Sequence, residues 1–279
     1  IKHFKQFVID GGYYPRCGMQ ALPDLLLEKY KHSGGHFLGS VAVEKINIKS
    51  NIVESLNLSN NNNVKSRYVV SACDAYETLT KLLDKSVLNS EFLTRVSQMS
   101  TSSSVFILYL GLNNIAQEFA INGATNWLIF RDDFESRKID DSFESDNIGW
   151  LAVRFDSNRK NCIAITNANY RDSAFWKTNK RLYSEILIKK INSIWPNSII
   201  NPEVQICATP DVLKSWTSNH MGAGYGWEAT SDQFMDINFS RGRIFNNLYF
   251  CGHWSTVAQG VEGVAIVGEK VSKTVSRFL

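Results

Sequence analysis

Near the end of the chain a group of glycines surrounds a histidine. Gly252 and His253 follow a short apolar run, residues 247–251. Gly260, Val261, Glu262 and Gly263 then open a stretch in which Val264, Val267, Val271 and Val275 recur at helical spacing. Glycine has no Cβ, so a backbone of this kind can come close to a flat or anionic ligand. The first turn of the helix adds unpaired N–H groups and the positive end of its dipole, which favour a pyrophosphate or the electron-rich edge of a reduced flavin. Donors at that edge would stabilise the anionic reduced ring, a chemistry of hydride transfer. The same spacing fits a plainer role, in which Gly263 and Gly268 let the helix pack tightly on the strand.

Such a turn needs a strand before it, a helix after it and a scaffold around both. Met19, Leu22, Leu25, Leu26 and Leu27 predict a helix over about residues 21–32, stopped by Ser33, Gly34 and Gly35. Val41, Val43, Ile46 and Ile48 nearly alternate, residues 52–58 form a second strand, and Asn60 to Asn63 read as a hairpin tip. Tyr68, Val69 and Val70 make another short strand that ends at Ala72, Cys73 and Asp74. Residues 90–104 are polar and serine-rich, whereas residues 105–110, 126–130 and 150–155 are strand-like and suggest a second sheet. A charged loop covers residues 132–146, and helical periodicity runs from Trp176 to Ile194, ahead of Pro196. The pattern sets an inserted sheet-plus-helix substrate domain (76–204) between a first segment (1–75) and a last one (205–279).

Composition narrows the function classes. With 279 residues, 44% hydrophobic and 20% charged, the chain is ordinary globular material. Thirty basic against 27 acidic residues, with no block of like charge, give nucleic-acid binding no support. Cys17, Cys73, Cys162, Cys207 and Cys251 are odd in number and never in CxxC spacing, which argues against a disulfide framework or a zinc site and for a reducing, cytoplasmic setting. The longest apolar run, residues 105–112, is too short to cross a bilayer, so peripheral membrane contact is the most that is expected.

The stretch Asn247-Leu-Tyr-Phe-Cys-Gly, continued to Val271, resembles the C-terminal FAD motif of the phytoene desaturase, carotenoid isomerase and amine oxidase superfamily, an "nLYxxG" strand followed by a "GxxGxxxxG" helix. Tyr14-Pro-Arg-Cys-Gly-Met-Gln-Ala-Leu-Pro23 is similar to "YPxGGMQALP", and Gly34-Gly35 with Val43 and Ile46 to "GGxxxxxxxVxxI". Val69 to Asp74 resembles "VVSNAD", Ser104 to Leu112 resembles "SxxxxYLGL", and Thr209-Pro210 and Gly222 to Gly226 resemble "TPxT" and "GxxYG". The matches occur in family order over nearly the whole chain. They imply an α/β (α+β) fold: a partial, Rossmann-like FAD-binding domain of the glutathione-reductase type, interrupted by the substrate domain.

The resemblance also implies contacts. Val43 would present its backbone to the adenine, and Gly252 and His253 would lie beside the ribityl or pyrophosphate portion. Gly260, Val261 and Glu262 would offer main-chain donors to the flavin, and Tyr225 and Gly226 would lie near its ring. His253 stands where the amine oxidases usually carry an acidic residue, and Cys17 replaces the first glycine of "GGM", where a small buried filler is expected rather than a reactive thiol. The family normally starts with a strand, G-x-G-x-x-G and a helix, and no such fingerprint occurs in this sequence. A companion polypeptide, from a split gene or a cleaved chain, is therefore expected to supply it. The function expected is FAD-dependent hydride transfer on an apolar or amine-type small molecule, in a tunnel for which Trp127, Phe130, Trp150, Phe175 and Trp176 are candidate linings. A non-catalytic scaffold subunit and a flavin amine or amino-acid oxidase are the alternatives. The oxidase would need a cation for its substrate's carboxylate, for which Arg16, Arg154 and Arg171 qualify by type.

Overall fold

The computed structural model describes residues 13–113, 123–130, 148–156, 158–199, 201–236, 243–255 and 260–278. The expected charged loop at 132–146 lies outside these. Helix α1 (Ala21–His32) ends as its glycines dictate: Gly34 adopts a left-handed φ of 84°, and the amide of Gly35 bonds back to the carbonyl of Tyr30 at 3.0 Å. None of the residues of α1 is buried.

Strands β1 (Val43–Lys49) and β2 (Ile52–Leu58) form an antiparallel hairpin. Its two-residue turn, Ser50 and Asn51, has φ of 48° and 63°, the backbone hand that matches strand twist. The asparagine tract turns the chain into β3 (Asn63–Val64) and completes the order β1-β2-β3. After β4 (Val69–Ser71) comes α2 (Ala75–Glu77), capped by the Asp74 carboxylate and continued by a π-helical turn, Thr78–Leu82. The serine-rich stretch, for which no element was expected, contains α3 (Ser90–Gln98), capped by Asn89.

Strands β5 (Ser104–Gly111), β6 (Thr125–Ile129), β7 (Trp150–Phe155) and β8 (Asn161–Ala168) precede the long helix α4 (Ser173–Ile194). Strand β9 (Val204–Ala208) then closes a five-stranded antiparallel sheet in the order β6-β7-β8-β5-β9. Alternation sorts its side chains. Phe106, Leu108, Val153 and Phe155 pack with Trp176 and Ile191 of α4 in one buried cluster, where each large apolar side chain contributes about 2–3 kcal/mol.

Helices α5 (Pro210–Thr217) and α6 (Ser231–Asp236) lead to β10 (Arg243–Phe245), β11 (Leu248–Phe250) and α7 (Gly260–Ser276). The third sheet has the order β10-β11-β4, and β11 runs parallel to β4 although the whole five-stranded sheet lies between them in sequence. Tyr249 packs against Val267 and Val271 of α7, so strand, turn and helix form one unit. A second buried cluster joins the hairpin to this unit through Ile46, Val53, Leu79, Val96, Trp227 and Trp254. Residues 75–99 therefore pack with the short sheets rather than with the five-stranded one.

Candidate cofactor site

Strand β11 is held from below by Asn247. Its side-chain oxygen accepts from the amide of Val53 at 2.7 Å, and its nitrogen donates to the carbonyls of Val53 and Arg67 at 3.0 and 2.9 Å. The residue is buried, so these bonds are shielded from competing water. On the other side the amide of Cys251 bonds to the carbonyl of Ser71 at 2.8 Å, which brings the chain to Gly252 in register with β4.

The turn that follows has the conformation its glycines allow. Gly252 and Gly260 have φ of 83° and 82°. Among the described residues, a Cβ on Gly260 would meet no atom within 4 Å, and one on Gly252 would come no closer than 3.9 Å, to the carbonyl oxygen of Ala72. Gly260 thus presents backbone to open space among the described residues and Gly252 meets only one ordinary contact, as a cradle for a dinucleotide requires, and the residues present fit FAD in that respect. Gly260, Val261 and Glu262 lie on the exposed first turn of α7. Gly268 does not account for the pattern as tight packing, because a Cβ there would stand an ordinary 3.9 Å from the Cys251 sulfur.

Gly226 meets this turn directly. With φ of 75°, it lies so close that a Cβ would stand 2.5 Å from the His253 carbonyl oxygen. Its own carbonyl accepts from the amide of Ser102 at 2.8 Å, and the Ser102 hydroxyl accepts from the amide of Tyr225 at 2.9 Å. Two tryptophans lock the contact. Trp227 donates from its indole to the carbonyl of Trp254 at 2.9 Å, Trp254 donates to Asn219 at 3.1 Å, and their rings meet edge to face at 5.0 Å. Gly226, His253 and Gly252 are therefore brought together, while Val43 stands at the head of β1 and packs against the same cluster. Burial lowers the pKa of the His253 imidazole, which keeps the ring neutral at neutral pH.

Sequence reasoning passed over the two tryptophans, Ser102 and Asn219. Trp227 and Trp254 each directly follow a residue that had been singled out, and a pair of indoles next to glycine-dependent turns was the available signal. It also gave Asp74 no role. That carboxylate accepts from the amides of Glu77 and His220, and burial raises its pKa to about 6 against those bonds. The His220 ring stacks on Tyr76 at 3.9 Å. Cys17 is exposed rather than a buried filler, and Cys162 is the buried one, its thiol pushed up to about 12 by desolvation. Among the tunnel candidates, Phe130, Phe175 and Trp176 pack on the α4 side of the large sheet, whereas Trp127 and Trp150 stack at 5.3 Å on the other face. No helix among the described residues is long and apolar enough to cross a membrane.

The family described as flavin containing amine oxidoreductase matches residues 2–276. The lycopene-forming phytoene desaturase of Pseudescherichia vulneris is 26% identical over 110 residues, covering 39% of this chain and 22% of that protein. Its counterpart from Pantoea ananas is 24% identical over the same shares. In fold, the chain is similar to an oxidoreductase from Methanosarcina mazei, with a TM-score of 0.62 and 15% identity over 97% of this chain and 58% of that one. Putrescine oxidase with bound putrescine gives a TM-score of 0.60 and 13% identity, covering 93% and 53%. The chain thus spans little more than half the length of these structures and matches under a quarter of the two desaturases.

Proposed function

Since the chain belongs to the flavin containing amine oxidoreductase family, we propose that it works as part of an FAD-dependent oxidoreductase of the desaturase, isomerase or saturase kind, acting on an apolar or amine-type small molecule. The observation that carries this reading is the open backbone at Gly252 and Gly260, pinned from below by Asn247 and from the side by Gly226. When bound, FAD supplies hydride transfer at its N5. The amides at the start of α7 would hold its electron-rich edge, and Gly252 would let the backbone come close without a Cβ in the way. His253, neutral through burial, offers one donor and one acceptor to a ribityl hydroxyl. Tyr225, fixed through its amide to Ser102, would border the ring face.

We further propose that the G-x-G-x-x-G strand and helix come from a polypeptide segment outside this sequence, a companion chain or a cleaved partner. Strand β4 supports this, because among the described residues it pairs only with β11 and leaves its other edge free. The natively purified protein, desalted, should show flavin absorbance together with the segment that carries the fingerprint. A colourless, stable preparation would instead favour a scaffold role.

A further inference from the structure

The large sheet has a second face, away from α4. Register places on it Ile107 and Tyr109 of β5, Ile163 and Ile165 of β8, Trp127 and Ile129 of β6, and Ile206 of β9. These residues are apolar and several are strongly exposed: Trp127 by 62%, Ile206 by 60% and Tyr109 by 39%. An apolar face of this breadth open to water indicates a binding surface. It is also continuous with the cofactor turn. At its near end the Val105 side chain lies against Gly224, and two residues on Gly226 packs against His253.

One charge interrupts the face. Arg154 of β7 lies level with Ile163 of β8, which in turn pairs with Tyr109, while Ile165 and Ala152 form the rung before it. Its guanidinium lies over the Tyr14 ring at 3.2 Å, and its Nε donates to the carbonyl of Gly123 at 3.1 Å. Among the described residues no carboxylate is paired with it. A guanidinium seated over a ring and held at Nε is restrained in orientation, and the N–H groups of its other edge can meet a planar anion. From the Gly224 contact at Val105 to the level of Tyr109 is four residues of strand, about 13 Å.

We propose that this face binds an elongated apolar small molecule bearing one carboxylate, with Arg154 as the residue that selects the anionic end. The carboxylate sits about 13 Å along the strands from the cofactor turn. The inference rests on the oxidoreductase reading for what happens at the near end, but anion selection at the far end is measured separately. Charge complementarity carries it: a surface for a pure hydrocarbon gains nothing from a half-buried, oriented cation, whereas a fatty or polyene acid matches both the apolar rungs and the guanidinium.

The test uses the natively assembled protein and two fluorescent probes, cis-parinaric acid and its methyl ester. The acid should bind about tenfold tighter or better. Arg154→Gln should bring the acid down to the ester's affinity while leaving the ester unchanged, and Arg154→Lys should restore part of the difference. Flavin absorbance of the same samples separates the two ideas. A colourless protein that still prefers the acid removes the oxidoreductase reading and keeps the anion site. Flavin-loaded protein that binds both probes equally, or that keeps its preference in Arg154→Gln, overturns the anion site. So does a companion chain that covers the face, read as quenched access to Trp127 with neither probe bound.

Discussion

The five-stranded sheet with α4 and the cofactor side with its short sheets differ in how far each completes its own core. On the sheet side, five strands pair edge to edge and one face is filled by a buried cluster of aromatic and branched side chains. On the cofactor side, β10, β11 and β4 are three residues each, α1 has no buried residue, and α7 buries only Val267 and Val271. Beyond the buried cluster that joins the hairpin to β11, that side depends on a few specific ties: the indole pair, Asn247 and the Asp74 cap. A region of that kind is stable in proportion to those ties and gains from anything that docks on it, cofactor included.

Trp254→Ala should be the most damaging change, since it removes a fully buried ring and its bond to Asn219; about 3–5 kcal/mol is expected. Hydrogen exchange should show β4 and β11 losing protection while β5 and β8 keep it, and equal loss in both sheets would erase the contrast. Asn247→Ala leaves the Val53 amide and the Val53 and Arg67 carbonyls without partners, a cost of about 2–4 kcal/mol read by urea unfolding. Asp74 sharpens the contrast through pH. Because burial raises its folded pKa to about 6, the folded state holds the proton more tightly than the unfolded chain. Stability from this group therefore falls as pH rises from about 4 to about 6 and is level above, on the order of 3 kcal/mol in all. Asp74→Asn should flatten that slope, and an unchanged slope would remove Asp74 as its source. Gly260→Val strains a left-handed φ by only about 1–2 kcal/mol and fills open space, so the chain should stay folded and lose FAD. Unchanged FAD content would remove this turn from the site.

Sequence was informative where period and punctuation agreed. Helix α1 follows its leucines and double glycine, the hairpin tip follows its asparagines, and the last strand and helix follow Gly252 and Gly260. Strand β8 was missed because Ile163 and Ile165 alternate with Cys162, Ala164 and Thr166, so neither face looks polar until the sheet shows which side α4 covers. Strand β9 and helix α5 were missed because they are short and stand against Pro210. Helix α3 hid in serines, whose low propensity is offset by the Asn89 cap and by Val96 in the core. In the site, the glycines were legible because their backbone requirement is local. The Arg154 contact with Tyr14 was not, since it joins residues from distant parts of the chain, and the indole pair, 27 residues apart, was signalled only by its place beside the glycine turns.

Asn247 has a kinetic consequence. Its bonds to Val53 join residues 194 positions apart, and the β4–β11 pairing spans a similar interval, so neither forms until most of the chain has been made. The cofactor turn is accordingly the last part of the molecule to assemble, and during synthesis β4 waits with both edges bare.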